Sequence, residues 1–292
     1  MNKGRIADRA LWDYCSTDRE LCVCGVFSAG IYFADRGGRV LMLHDSRCGT
    51  LPFGIAVEGL GSSGHSLGIE NEAAVQLRGR TLLIPSAGLR IPLVYEPQPG
   101  SPTFAAPDGF LCAARSALIR SGRSVLQVYA ASDVDSVRRE DIGDPFAAAA
   151  RKGMLALARS MPTADGKGIG GALDGLLGLG RGLTPSCDDF VTGLLFALGF
   201  YAERTGRAHP ALDVLRSSVR ERTARTNRYA AAYLLAAADG GDFSLLRRCL
   251  EAADADSFNA LLAVGASSGA DMLAGMCFAA AQQKLAYELQ RI

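Results

Sequence analysis

Ser186, Asp189, Gly193, Phe196 and Ala197 follow the pattern S-x-x-D-x-x-x-G-x-x-F-A. Ser268, Asp271, Gly275, Phe278 and Ala279 repeat it at the same spacings, 82 residues further on. A serine with an acidic residue three positions later, ahead of an apolar run, is a helix-start pattern. The chain is therefore expected to build two similar helix N-termini, each with a hydroxyl and a carboxylate in its first turn. Free amide N–H groups and the positive end of the helix dipole suit such ends to holding an anion.

The first copy carries more than a cap requires. Gly175, Gly178, Gly180 and Gly182 precede Thr184-Pro185, which reads as an N-cap threonine followed by a proline at the first helical position. Glycines before a helix let a ligand approach the backbone closely. Asp188 and Asp189 could cancel the attraction for an anion, or hold a magnesium ion that bridges to a phosphate. No Gly-Lys-Ser/Thr follows the glycines, so this is not a Walker loop. The plainer account makes both copies capping boxes. That leaves unexplained the second carboxylate and the glycines at 193 and 275, which cost about 1 kcal/mol each against alanine inside a helix. Those two glycines are expected to be contacts between two equivalent helices.

Other candidates are weaker. Residues 59–64, GLGSSG, match G-x-G-x-x-G, but Gly68 interrupts the helix a dinucleotide fold would need next, and Ile84-Pro85 stand where its acidic residue belongs. A glycine-rich turn is expected, with His65 beside it. Arg216, Arg220, Arg222, Arg225 and Arg228 form a basic cluster that is expected to be solvated surface, although guanidinium groups also bind carboxylate or phosphate in a bidentate manner. No serine or cysteine has the neighbours of a nucleophile: G-x-S-x-G is absent, and two aspartates beside Cys187 oppose thiolate formation.

The first half reads as β-rich, with short apolar segments at 21–34, 39–43, 53–58 and 81–85, and a segment at 90–95 that Pro92 would confine to a sheet edge. A proline-rich connection covers 96–108, followed by a helix at 110–121 and a strand, SVLQVYA. Helical spacing then dominates over 145–160, 186–204, 210–224, 228–238, 243–253, 256–263 and 269–290, with Gly206 and Gly240 as helix ends. The expected class is α+β: a β-rich part, 1–142, then a helical part, 143–292, that carries both motifs.

Composition narrows the function. With 49% hydrophobic and 21% charged residues and a formal charge of +1, the chain reads as globular, with no electrostatic case for nucleic acid or an anionic membrane. Charged residues at 3–20 do not fit a secretory signal, and the apolar runs 21–34 and 190–202 are too short to span a bilayer, so a cytoplasmic location is expected. The eight cysteines include no C-x-x-C, and the three histidines lack ligand spacing; buried reduced thiols are expected.

The block GLGRGLTPSCDDFVTGLL resembles the signature GLGxGLTPSGDDxxxGxL of the bacterial AllH family. GASSGADMLAG resembles its second patch, and Thr226-Asn227 a third. The resemblance implies a subunit that works with FdrA-like and AllG-like chains as an oxamate carbamoyltransferase in allantoin breakdown, interconverting oxalurate plus phosphate and oxamate plus carbamoyl phosphate. Substrate contacts would then fall to Gly180, Gly182, Thr184, Ser186, Asn227, Ser267, Ser268 and Asp271. Asp188 and Asp189 would orient a substrate amide or a metal. Cys187 departs from the family's glycine, and a side chain there is expected to narrow the loop. Two alternatives stand beside this reading: a stand-alone magnesium-dependent phosphate-handling enzyme, and a non-catalytic assembly subunit.

Overall fold

The computed structural model describes residues 3–27, 30–60, 67–124, 126 and 145–289. The glycine-rich stretch at 61–66 with His65, and the strand expected at 124–130 apart from Ser124 and Leu126, lie outside the described residues. The class is α+β. An eight-stranded barrel comes first and a mostly helical part follows. By compactness the chain divides into residues 1–100 with 241–245, and 101–240 with 246–292.

The first unit contains β1 (Gly4–Ile6), α1 (Arg9–Tyr14), β2 (Arg19–Phe27), β3 (Gly30–Ala34), β4 (Val40–Asp45), β5 (Gly54–Val57), β6 (Ala74–Arg78), β7 (Thr81–Ile84) and β8 (Leu89–Tyr95). They close in the order β1-β5-β4-β3-β2-β6-β7-β8, with β4–β5 and β1–β8 parallel. Alternate residues fill the interior, among them Val23, Ile31, Phe33, Leu41, Leu43, Ile55, Val75, Leu77, Leu82, Ile84 and Ile91. Leu11 of α1 joins the same core, and Asp8 caps that helix through Leu11 N–H at 2.8 Å.

Three expectations change here. The apolar run 21–34 is a hairpin of two strands, and β1 and α1 arise from a charged N-terminal stretch with little hydrophobic signal. β8 is also not an edge. It pairs with β7 on one side and with β1 on the other. Pro92 is tolerated because β1 joins β8 only from Leu93 onward, so the ladder never needs the N–H that proline lacks.

The second unit contains α2 (Pro107–Ser121), α3 (Pro145–Ser160), α4 (Gly166–Leu176), α5 (Ser186–Thr205), α6 (Leu212–Arg222), α7 (Arg228–Ala238), α9 (Ala255–Leu262) and α10 (Ser268–Leu289). Helix α8 (Ser244–Ala252) begins in the first unit's 241–245 segment. Helix α4 was not anticipated because five of its eleven residues are glycine; Ile169, Leu173 and Leu176 still give it a buried face at helical spacing. Gly175 therefore lies inside a helix and not in the loop ahead of α5. Gly206 and Gly240 do end helices with positive φ, 68° and 76°.

Helices α5 and α10 form the centre of this unit, and every residue of α5 from Ser186 to Leu198 is buried. They cross where neither has a side chain. A Cβ on Gly193 would lie 2.0 Å from the carbonyl oxygen of Met272, and one on Gly275 would lie 1.9 Å from that of Phe190. Met272 and Phe190 occupy equivalent positions in the two sequence repeats, so the crossing is reciprocal, as a local two-fold requires. Phe190 and Phe278 close it with an edge-to-face contact at 5.4 Å.

Backbone cannot retreat as a side-chain tip can. Gly193→Ala and Gly275→Ala should therefore each cost at least about 3 kcal/mol, at the upper end of overpacking penalties. Urea denaturation should show this as a lower midpoint with an unchanged slope.

Candidate functional site

The chain leaves α4 at Leu177 and turns through a glycine loop into α5. Gly178 is held by two contacts: its N–H donates to Asp188 Oδ1 at 2.9 Å, and its α-carbon faces the carbonyl of Arg225. Gly180, at φ 146°, folds so tightly over the start of α5 that a Cβ would sit 2.2 Å from Ser186 N. A larger residue is excluded there on space and conformation together. Among the described residues, the N–H groups of Gly180, Arg181, Gly182, Leu183 and Thr184 donate no hydrogen bond. Five consecutive unengaged amides thus lie on a partly exposed loop at the positive end of a long helix, an environment that favours negative charge.

Two supports hold that loop. Asn227 caps α7 by accepting from Tyr229 and Ala230 N–H at 2.9 and 3.1 Å, while its Nδ2 donates to Leu183 O at 2.8 Å. It therefore acts as a strut to the loop. Asp188 accepts from Thr226 Oγ1 at 2.5 Å as well as from Gly178 N–H. Asp188 is 1% exposed and both of its oxygens are engaged, which makes it a tie between α5, the loop and the approach to α7. The second carboxylate, which a capping box leaves unexplained, thus has structural partners of its own.

The helix starts also differ from capping boxes. Helix α5 begins at Ser186 with Pro185 in the cap position and no side-chain cap. Thr184 does not cap it: its hydroxyl donates to Asp189 Oδ2 at 2.8 Å and lies 3.0 Å from Ser268 Oγ on the other helix. The serine–aspartate pairs work across the crossing, not within each repeat. Ser268 hydrogen bonding favours ionised Asp189, and Ser186 hydrogen bonding favours ionised Asp271. Asp271 Oδ1 further accepts from Ser124 Oγ at 2.5 Å. Ser267 stands beside Asp271, and its carbonyl accepts from Asp271 N–H at 2.8 Å.

Asp189 and Asp271 are 1% and 0% exposed. Burial raises the pKa of Asp189 well above the ordinary carboxylate value. The charges of Asp271 and Asp188 add to that rise, against hydrogen bonds from Thr184 and Ser268. Burial also raises Asp271, opposed by the hydroxyls of Ser124, Ser186 and Ser267, and raises Asp188, opposed by Thr226 and Gly178. Neither Asp189 Oδ1 nor Asp271 Oδ2 has a hydrogen-bond partner.

Cys187 does not narrow the loop. It is fully buried in the first turn of α5, and burial together with Asp188 and Asp271 pushes its thiol far up, so it is inert. Of the other cysteines, 15, 249 and 277 are buried, 24 and 48 are intermediate, and 22 and 112 are exposed; none of them is in a disulfide. Most of the basic cluster is paired: Arg220 with Asp239 at 2.8 Å, Arg222 and Arg225 with Asp174 at 3.3 and 3.5 Å, and Arg216 with Asp213 at 3.5 Å. Arg228, directly after Asn227, and Arg181 in the loop are exposed and make no ion pair among the described residues.

The helical unit thus brings together Gly180, Gly182, Thr184, Ser186, Asp188, Asp189, Asn227, Ser267, Ser268 and Asp271. Ser124 was not foreseen. It lies 147 residues from its partner Asp271 in a stretch that read as a strand, and no local pattern marks it. Among the described residues no group of three His, Cys, Asp or Glu side chains is set to hold a metal ion, and Asp188 has no free oxygen to offer one.

A family model described as oxamate carbamoyltransferase subunit AllH matches residues 176–280. The match covers 105 of the 292 residues. No curated protein and no solved structure matches the chain. The AllH match begins at the last residue of α4 and takes in the glycine loop, Asn227 and both S-x-x-D starts. It leaves out the barrel and Ser124. Among the described residues, no helix is long and apolar enough to cross a membrane.

The raised carboxyls fix the sign of a pH effect. When a folded-state pKa exceeds the unfolded one, the folded protein holds the proton more tightly. Its stability is then greatest in acid and falls as pH rises from the ordinary aspartate value through the folded one. Asp189→Asn removes that loss, so the variant should melt above wild type at about pH 8, with the gain shrinking toward about pH 4.5. Asp188→Asn shares that pH direction, since burial raises Asp188 as well, but it should be destabilising. It replaces one of two engaged acceptors with a donor and should cost about 1–3 kcal/mol. Thermal melts across pH check both.

Proposed function

We propose that this chain is the small-anion-binding subunit of an oxamate carbamoyltransferase-like complex, acting with FdrA-like and AllG-like subunits on oxalurate plus phosphate, or on oxamate plus carbamoyl phosphate. The observation that carries the reading is the run of five unengaged amides, Gly180–Thr184, at the N-terminus of α5 and within the AllH-matching segment. A carboxylate or phosphoryl group of the substrate would take its place there. The exposed Arg181 and Arg228 would add positive charge near it.

In the reaction, a phosphate oxygen attacks the carbamoyl carbon of oxalurate, the bond from that carbon to the oxamate nitrogen breaks, and the nitrogen takes up a proton. Fixed amides that receive the oxyanion as it develops are a large source of rate in acyl transfer, worth about 3–4 kcal/mol per donor. With no free nucleophile beside the loop, positioning and charge stabilisation would carry the transfer. Asn227 and Asp188 would act by holding the loop. Thr184, Ser186, Ser267 and Ser268 would form the hydroxyl wall between the two helix starts. The magnesium alternative would rest on one or two carboxylates together with substrate oxygens, since no three His, Cys, Asp or Glu side chains are grouped for a metal ion among the described residues.

Oxamate, carbamoyl phosphate and inorganic phosphate should each raise the melting temperature of the isolated chain. The stabilisation should reach about 2.7 kcal/mol at a hundredfold excess over the dissociation constant. Gly182→Val should abolish the shift and also lower the ligand-free melt, because a β-branched residue at the φ of 96° is strained by about 1–3 kcal/mol even though the space beside Gly182 is open, so the shift is read at matched folded fraction. A flat melting temperature with all three ligands would favour the assembly-subunit reading.

A further inference from the structure

Asp189 Oδ1 and Asp271 Oδ2 are fully buried carboxylate oxygens without a hydrogen-bond partner, one from each of the two equivalent helix starts. The other oxygen of each accepts from a hydroxyl, Thr184 for Asp189 and Ser124 for Asp271, with Ser268 also against Asp189 and Ser186 and Ser267 against Asp271. Folding thus turns the carboxyls in place and leaves one acceptor bare on each. Buried acceptors are nearly always paired, because an unpaired one costs the full desolvation of the group. Asp188 differs in kind, since both of its oxygens are engaged by the protein.

The chemistry of the occupant follows from those two atoms. A second anion is repelled by them. For a metal ion, no third His, Cys, Asp or Glu side chain joins them among the described residues. A planar NH2 group, with two N–H donors diverging from one nitrogen, offers one donor to each oxygen. The anionic end of the same small molecule would then lie toward the free amides of Gly180–Thr184. We propose that Asp189 and Asp271 together are the receptor for the NH2 group of a carboxamide or carbamoyl ligand, and that Asp188 is a positioning residue outside that receptor. The proposal rests on the reading that this unit holds a small anionic substrate, and it assigns the ligand's polarity: carboxylate or phosphoryl toward the glycine loop, amide nitrogen between the two helices.

The test compares oxamate with oxalate, which keeps the carboxylate and replaces the amide with a second acid group, using calorimetry on the full-length chain. Wild type should bind oxamate at least about tenfold more tightly, because oxalate leaves both buried acceptors facing an acceptor. Asp189→Asn and Asp271→Asn each bring in a carboxamide that can occupy the neighbouring bare oxygen, and both should lose that preference while staying folded by circular dichroism. Asp188→Asn, at matched folded fraction, should keep it. If one of the first two variants fails to fold, the other still decides the matter. Equal binding of oxamate and oxalate by wild type, or an undiminished preference in both variants, would overturn the amide receptor while leaving the anion site standing. Binding of neither compound would bring down the substrate-site reading and the receptor with it.

Discussion

Helix α5 and helix α10 touch backbone to backbone at Gly193 and Gly275, and the site depends on that contact. A side chain at either position would come within 2.0 Å of a carbonyl oxygen on the opposite helix. Only two glycines, placed seven residues into equivalent helices, allow this approach. Because the crossing is reciprocal, it also aligns the two helix starts. Ser186 then meets the carboxyl of the second repeat and Ser268 meets that of the first. A spacing that would make a local cap in an isolated helix becomes a shared polar centre when two such helices cross this closely.

That centre works against folding. Three carboxyls are buried near one another, two of them with a bare oxygen, and burial raises the pKa of all three. A packed helical unit has ample apolar surface to carry such a cost, but nothing in the packing calls for it. Polar groups held in an unfavourable state by a surrounding rigid core are what a binding site requires, since a ligand can then satisfy what the protein leaves open. Asp188 belongs to the other kind of buried polar residue. Its partners Gly178 and Thr226 convert its charge into the shape of the glycine loop.

The loop and the carboxyl pair have opposite character only a few residues apart. Free amides at Gly180–Thr184 favour negative charge, and the bare oxygens of Asp189 and Asp271 favour hydrogen-bond donors. A small molecule with an acid group at one end and an amide at the other is complementary to both at once.

Several elements could be read from residue order alone because their determinants are local. Apolar periodicity marks α3 and α7 to their end residues, glycines at 206 and 240 end helices, and the repeated S-x-x-D-x-x-x-G spacing marks both α5 and α10 and the contact between them. Helix α4 escaped notice because glycine suppresses intrinsic helix preference, and packing of Ile169, Leu173 and Leu176 overrides it. Closure of the barrel around β1 and β8 could not be read, because strand pairing is a long-range property and Pro92 locally argues for an edge. The division of labour among the aspartates was equally out of reach. Whether an oxygen is free depends on donors from Gly178, Thr226, Thr184 and Ser124, brought from up to 147 residues away. The sequence by itself determined which residues could do chemistry, because residue type and spacing are local. The tertiary structure alone decided which of them are left with something to bind, because hydrogen-bond satisfaction is settled only when distant segments meet.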